Sequence, residues 1–224
     1  MSDETRRELD AKFLAIGLDR DYSALDANLE PDIQGWGSSS PVFEGVLKFV
    51  KPSLVIEIGT WKGASIIHMA KLAAAEKLDT CFICVDTWLG SNDTLWVDPE
   101  YRRSLQLRGG YPSMFRQFIA NIKHAGVEDR IYPLPMTSSA AFYLLKRLAV
   151  RPDAIYVDAG HEEDEVYLDL KLYFDLLRPG GVMFGDDYSP GWPGVPAAVN
   201  RFASERRLVL QCGNDKFIFQ KSVA

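Results

Sequence analysis

Residues 54–66 read LVIEIGTWKGASI, and this stretch decides the fold. Its first five residues, LVIEI, form a mostly apolar run that is typical of a strand in a parallel sheet covered on both faces. A turn containing Gly59 and Gly63 follows, and the sequence then takes up the helical pattern ASIIHMAKLAAAE. A strand, a glycine turn and a helix in this order predict the start of a βαβ unit.

The same alternation of strand and helix patterns continues along the chain. Further strands are predicted at 81–86, 131–136, 154–159 and 181–187, and a closing pair at 208–213 and 216–221 flanks a turn. The predicted fold class is therefore α/β, a doubly wound, mostly parallel, seven-stranded Rossmann-like sheet with an antiparallel C-terminal hairpin. Ligands of such sheets bind at the carboxyl ends of the strands.

The flanking segments carry weaker patterns. Residues 1–40 are predicted to be an N-terminal helical arm or lid, and residues 41–224 to be the main domain. Residues 87–112 show no clear period, which is typical of a binding loop or lid.

Composition narrows the classes of partner. The net charge of −6 argues against a nucleic-acid or anionic-membrane partner, because such partners bind basic surfaces. The acidic start is unlike a signal peptide, and no apolar run approaches the roughly 18 residues of a membrane span. The cysteines are Cys81, Cys84 and Cys212, an odd number that favours a reducing, cytoplasmic setting.

The turn after the first strand does not suit a dinucleotide. The dinucleotide pattern GxGxxG, placed on Gly59, meets Trp61 and Ala64 where it needs glycine, and the P-loop signature is also missing from the sequence. An acid, Glu57, ends the first strand, and another, Asp86, closes the second. Because a carboxylate can accept two hydrogen bonds from a ribose diol, these features favour a phosphate-free nucleoside joined to an amino acid, as in S-adenosylmethionine.

Four motifs carry a family resemblance: EIGTWKGASIIHMA, VDTW, YVDAGHEEDEV and LLRPGGVMFGDDY. Together they resemble class I S-adenosylmethionine-dependent methyltransferases, above all the metal-dependent small-molecule O-methyltransferases of the catechol and sugar or macrolide types. The resemblance covers roughly residues 41–220 and implies a Rossmann-like methyltransferase domain. It also implies transfer of a methyl group to a hydroxyl of a small molecule, such as a sugar or a phenolic natural product.

The resemblance also implies the cofactor contacts. The methionine end is expected at the first glycine turn, the ribose at Asp86, and the adenine at Thr137 and Ser138, with Trp88 packing on the adenine face. The full expected set is Glu57, Gly59, Thr60, Gly63, Ser65, Asp86, Thr87, Trp88, Thr137, Ser138 and Asp158.

Three acids at the ends of the fourth and fifth strands predict a metal site. Asp158, Asp186 and Asp187 would repel one another unless a cation neutralises them, and hard oxygen ligands favour Mg²⁺, Mn²⁺ or Ca²⁺. The related enzymes place metal ligands at these positions. The alternative is that Asp187 caps the following loop and Asp186 braces a backbone amide, without a metal.

His161 is the first candidate for the general base, with Asp158 as its rival. It lies three residues beyond Asp158, where the catechol-type relatives carry lysine. A histidine whose ordinary pKa is near ~6.5 suits proton abstraction near neutral pH. Alternatively, His161 binds the substrate or caps the next helix.

Three functions remain open at this stage. The first is a metal-dependent O-methyltransferase, the second a metal-independent methyltransferase acting on nitrogen or carboxylate, and the third a non-catalytic S-adenosylmethionine-binding subunit. The expected partner is a small hydroxylated acceptor, and the N-terminal helix is the expected contact of a homodimer. Some of the aromatic residues near strand ends and in the arm are expected to line the acceptor pocket, and the others to pack elsewhere: Trp36, Trp88, Trp96, Tyr101, Tyr111 and Trp192.

Overall fold

The computed structural model describes residues 2–25, 27–91 and 95–223. Residues 92–94 of the predicted loop 87–112 lie outside the described residues. Residues 1 and 26 of the predicted arm and residue 224 of the predicted main domain also lie outside the described residues.

Within this part of the chain, seven strands form one sheet in the order β3-β2-β1-β4-β5-β7-β6. The first five strands run parallel, and β7 pairs antiparallel with both β5 and β6. The predicted fold class is confirmed. The strands are β1 Leu54–Ile58, β2 Cys81–Asp86, β3 Ile131–Pro135, β4 Ala154–Val157, β5 Val182–Gly185, β6 Gln211–Gly213 and β7 Lys216–Gln220.

Helices cover both faces of the sheet. They are α1 Ser2–Leu14, α2 Pro41–Val50, α3 Ala64–Ala75, α4 Pro99–Arg102, α5 Met114–His124, α6 Ser138–Arg147, α7 Glu163–Leu176 and α8 Gly194–Arg206. Single 3₁₀ turns occur at Arg103–Leu105 and Glu128–Arg130. Among the described residues, no helix combines the length and the apolar character that crossing a membrane requires.

Helix α4 lies in the segment that was predicted to be a structureless loop. Its start is set locally, because the Asp98 carboxylate accepts a hydrogen bond of 2.7 Å from the Glu100 amide and Pro99 occupies the first helical position. A single helical turn is too short to show a period, so only the Asp-Pro pair signals it.

The central strands are buried on both faces, which explains their near-continuous apolar sequence. On one face, Leu54 and Ile56 join a cluster with α1, α6, α7 and α8, whereas Val55 joins a second cluster with α2, α3 and α5 on the other. Cys81 and Cys84 are buried in these two opposite clusters, as their spacing along a strand predicts.

Residues 27–40 of the arm pass over the carboxyl edge of the sheet without regular structure. The buried side chain of Asn121 holds this segment, donating hydrogen bonds to the Asp32 carbonyl at 2.6 Å and the Lys62 carbonyl at 2.8 Å. The Lys62 ammonium, which is also buried, binds the Asp32 carboxylate at 2.6 Å. These contacts bring residues 35–38 to the site described next.

Candidate functional site

A cavity of about 710 Å³ opens at the carboxyl ends of the parallel strands. Its volume lies in the range typical of small-molecule sites. Most of the predicted site residues lie on its wall: Gly59, Thr60, Ser65, Asp86, Thr87, Thr137, Ser138, Asp158, His161, Asp186 and Asp187.

Three predicted cofactor contacts lie elsewhere. Glu57 is fully buried behind the wall and accepts a hydrogen bond from the Ser65 hydroxyl. Gly63 lies just before helix α3, where its φ of +89° suits the left-handed conformation at the N-cap. Trp88 is 2% exposed because it packs between Phe115 and Phe118, with ring centroids 4.8 and 4.9 Å away. The expectation that Trp88 covers the adenine face is corrected accordingly.

The turn after β1 is shaped by a glycine and a carboxylate. Gly59 has a φ of +81°, and a Cβ atom there would overlap the carbonyl oxygen of Asp158 on the neighbouring strand. Asp86 Oδ2 accepts hydrogen bonds from the amides of Thr60 at 2.9 Å and Trp61 at 2.8 Å. Asp86 Oδ1 accepts another of 2.6 Å from the Trp88 amide. Thus Asp86 fixes the backbone of the turn as well as facing the cavity.

Two buried polar atoms at this turn make no hydrogen bond within the described residues: Glu57 Oε2 and Thr60 Oγ1. Burial also raises the pKa of Glu57 well above its ordinary value, despite the Ser65 hydrogen bond. The Thr60 side chain interacts with the Glu57 carboxyl and also lines the cavity, so this turn presents a polar group to a ligand. The turn therefore suits the amino-acid end of S-adenosylmethionine.

Two carboxylates meet at the ends of β4 and β5, as the sequence predicts. The Tyr156 hydroxyl lies 3.2 Å from Asp158 Oδ2 and 3.1 Å from Asp186 Oδ2, so it bridges them. Burial, together with the charges of Asp186 and Asp187, raises the pKa of Asp158 to about 8.

A lysine completes this cluster. Lys216, at the start of β7, is 1% exposed, and its ammonium pairs with Asp186 Oδ2. The other oxygen of Asp186 accepts a hydrogen bond of 2.8 Å from the Asp187 amide. Asp186 therefore braces a backbone amide, which is the alternative that the sequence left open for it.

The predicted divalent-metal site is not supported. Within the described ranges, no group of three or more His, Cys, Asp or Glu side chains has a metal-binding arrangement. More directly, Asp186 already binds an ammonium, and Asp187 Oδ2 lies 3.0 Å from His161 Nε2. Mg²⁺, Mn²⁺ and Ca²⁺ need several oxygens at about 2.0–2.6 Å, and this donor set does not fit that requirement.

His161 and Asp187 form a pair on the cavity wall. The imidazole of His161 stacks on the Trp192 indole, with centroids 3.9 Å apart and planes at 18°. Asp187 adopts a φ of +60°, which is uncommon for a residue other than glycine. This strained backbone aims its carboxylate at His161, and the stacking fixes the ring. Such a pair can accept a proton, since the carboxylate stabilises the imidazolium that forms.

Aromatic side chains line the outer part of the cavity. The Trp36 ring lies 6.0 Å from both Trp61 and Tyr101, and all three face the cavity together with Trp192. Trp36 is 55% exposed, which is a large apolar area to leave open to water. Tyr111, by contrast, is 67% exposed and outside the cavity wall. Of the aromatic residues that the sequence singled out, Trp36, Tyr101 and Trp192 line the cavity and Tyr111 does not.

Sequence reasoning missed two charged residues at the site. Lys216 opens the strand KFIFQ, where a terminal lysine looks like a solvent-exposed end, so no sequence signal marks it. Asp169 lies within helix α7, is 5% exposed and faces the cavity. An acid among the apolar positions of that helix was a usable signal.

Residues 56–188 match the family model described as a methyltransferase domain. The chain belongs to this family. The match confirms the predicted class, so the protein is an S-adenosylmethionine-dependent methyltransferase. No curated protein sequence matches the chain at a significant level.

Solved structures share the fold of this methyltransferase. The O-methyltransferase NovP is 18% identical, with a TM-score of 0.57 over 81% of this chain and 79% of its own. The O-methyltransferase TomG from Streptomyces achromogenes is 16% identical, with a TM-score of 0.58 over 96% of each chain. The calicheamicin methyltransferase CalS11 is 18% identical, with a TM-score of 0.59 over 80% of this chain and 77% of its own. At these identities the likeness demonstrates the common fold.

Proposed function

We propose that this methyltransferase transfers a methyl group to a hydroxyl of a small molecule, such as a sugar or a phenol. The observation that carries the proposal is the His161–Asp187 pair, which faces the same cavity as the Gly59–Asp86 turn. A proton acceptor and a cofactor turn on one cavity wall are what methylation of a hydroxyl requires.

The cofactor-binding part of the proposal rests on the residues around the β1 turn. When bound, S-adenosylmethionine supplies a methyl group on a sulfonium, which is already activated for transfer. Thr60, which lines the cavity, would hold the amino-acid end, and Glu57 would support Thr60 from behind the wall. Asp86 would accept hydrogen bonds from the ribose, and Thr137 and Ser138 would contact the adenine.

His161 would then take the proton of the acceptor hydroxyl. Its pairing with Asp187 at 3.0 Å stabilises the charged imidazolium, and stacking on Trp192 keeps the ring in place. The aromatic group of Trp36, Trp61 and Tyr101 would bind the flat or apolar face of the acceptor and exclude water from it.

The choice of a hydroxyl acceptor has independent support from the fold comparison. NovP and TomG are both described as O-methyltransferases, and CalS11 is described as a TDP-rhamnose 3'-O-methyltransferase. These descriptions belong to those proteins. They favour oxygen over the nitrogen or carboxylate acceptors considered above.

The test combines a cofactor-binding measurement with a search for acceptors. Calorimetry with S-adenosylmethionine gives the affinity, and release of S-adenosylhomocysteine is then followed with phenols, catechols and nucleotide sugars. His161→Asn should lower kcat by about a hundredfold or more, as removal of a general base does, with little change in cofactor affinity. His68→Asn is the matched control, because His68 lies outside the cavity wall.

The outcomes separate the alternatives. Full activity of His161→Asn would contradict the base role and leave Asp158 as the candidate. Turnover with amines or carboxylic acids alone would favour the second function. Tight cofactor binding without turnover of any acceptor class would favour a non-catalytic subunit.

A further inference from the structure

We infer that the Lys216 ammonium is a built-in cation that replaces a divalent metal in this methyltransferase. Lys216 acts as a positioning residue: it holds Asp186 at the end of β5, and the enzyme works without a bound metal ion. The inference rests on the proposed function for its activity measurements. Its metal-binding measurement does not depend on the proposed function.

The strand pairing places Lys216 beside Asp186. Strand β7 runs antiparallel to β5 with Phe217 opposite Gly185, so Lys216 lies opposite the residue that follows β5, which is Asp186. The ammonium pairs with Asp186 Oδ2 and lies 5.5 Å from the Phe43 ring centroid and 5.6 Å from the Tyr156 ring centroid. Two aromatic faces and a carboxylate therefore surround it, and both kinds of group favour a cation.

The arm covers this ion pair on the side of residue 37. Gly37 has a φ of +57°, and a Cβ atom there would lie 2.6 Å from Asp186 Oδ2 and 2.9 Å from Lys216 Nζ. The backbone at residue 37 thus leaves no room for a side chain over the pair. A hydrated divalent ion, which is larger than a methyl group, would not fit between the arm and Asp186.

The charges around the Lys216–Asp186 pair also disfavour a bound divalent ion. Asp158, Asp186 and Asp187 are the carboxylates, while Lys216 and His161 carry or can carry the opposing positive charge. A second cation beside Asp186 would be repelled by the ammonium at close range. Conversely, removal of the ammonium alone would leave buried carboxylates without compensation, which is strongly unfavourable.

The experiment measures metal binding directly. Mn²⁺ is titrated into wild type, Lys216→Met and Lys221→Met, and free Mn²⁺ is followed by electron paramagnetic resonance. Lys221 is the matched control, because it follows the same strand but binds the carbonyls of Phe174 and Leu177, away from the cavity. We expect no stoichiometric binding to wild type or Lys221→Met at millimolar Mn²⁺, and a new site in Lys216→Met.

Activity supplies the second readout. Wild-type turnover should be unchanged by excess EDTA or by added Mg²⁺. In Lys216→Met, kcat should fall about tenfold or more while S-adenosylhomocysteine affinity stays the same, and added Mg²⁺ should restore part of the loss. A general structural defect would not produce a gain of metal dependence.

The inference is overturned if wild type binds one Mn²⁺ tightly, if EDTA abolishes wild-type activity, or if Lys216→Met keeps full activity. Should Lys216→Met fail to fold, the wild-type titration still decides the question. The double variant Lys216→Met/Asp186→Asn removes both charges and should recover stability relative to the single variant. If no acceptor is turned over, the proposed function fails while the Mn²⁺ result remains valid.

Discussion

At the residue scale, Asp169 shows how burying a carboxyl group in the cavity wall changes its pKa. The side chain is buried on helix α7, and this burial raises its pKa to about 6, with the nearby Glu165 adding to the effect and a Ser138 hydrogen bond opposing it. The unfolded chain ionises near the ordinary value, so between about pH 4 and pH 6 the folded state holds the proton more tightly.

This difference predicts a pH-dependent stability. As the pH rises from about 4 to about 6, ionisation of Asp169 in the unfolded state should lower the free energy of unfolding by about 2 kcal/mol. Asp169→Asn should remove that decrease. Urea unfolding of both proteins at several pH values measures it, with Asp175→Asn on the same helix as an exposed control. If the free energy of unfolding varied with pH in the same way in wild type and Asp169→Asn, the raised pKa of Asp169 would be contradicted.

Residue-level prediction from sequence was uneven for physical reasons. The acids Asp158, Asp186 and Asp187 were found because parallel strands bring their carboxyl ends to one edge. A metal ion at these acids is not supported, and the sequence did not reveal that Asp186 pairs with Lys216, which comes from an antiparallel strand. Register across a sheet edge depends on tertiary pairing, which a single strand pattern does not reveal.

At the element scale, the turn between β1 and α3 combines two requirements in one short segment. Gly59 allows the chain to cross Asp158 closely, and Asp86 ties the following amides to the end of β2. The strands, most helices and this turn could be read from apolar runs and glycines. Helix α4 could not, since a single helical turn shows no period.

Gly59→Ala should therefore destabilise the turn by more than the usual free-energy penalty of an alanine with a positive φ. A Cβ atom there overlaps the Asp158 carbonyl, so cofactor affinity should fall at least tenfold and unfolding free energy by more than ~2 kcal/mol. Gly126→Ala is the control, because its φ of +65° is similar but no atom of the described residues lies within 4 Å of a Cβ there. Calorimetry and urea unfolding measure both; equal losses in the two variants would contradict the overlap.

At the scale of the whole molecule, the sheet and the arm enclose one cavity. The alternation of strands and helices predicted the sheet, but not the course of residues 27–40 over its edge. That course depends on Asn121 and Lys62, whose contacts with Asp32 span 89 and 30 residues. Long-range polar contacts of this kind carry no periodic signal.

A ligand that fits this cavity should stabilise the whole fold by mass action. At a hundred times its Kd, S-adenosylhomocysteine should raise the free energy of unfolding by about 2.7 kcal/mol. NAD⁺ should not, because Trp61 and Ala64 replace the glycines that a dinucleotide needs. Thermal unfolding with each ligand measures the difference, and equal stabilisation by NAD⁺ would contradict the cofactor assignment.

The position of Lys216 along the chain has a consequence for biosynthesis. The cofactor turn is complete once β2 has formed, yet the lysine that pairs with Asp186 is made only with β7, 30 residues after Asp186 itself. Until residue 216 leaves the ribosome, the nascent sheet must carry an uncompensated acidic edge. We expect a chain truncated before β7 to be degraded rather than to persist as a partly active enzyme.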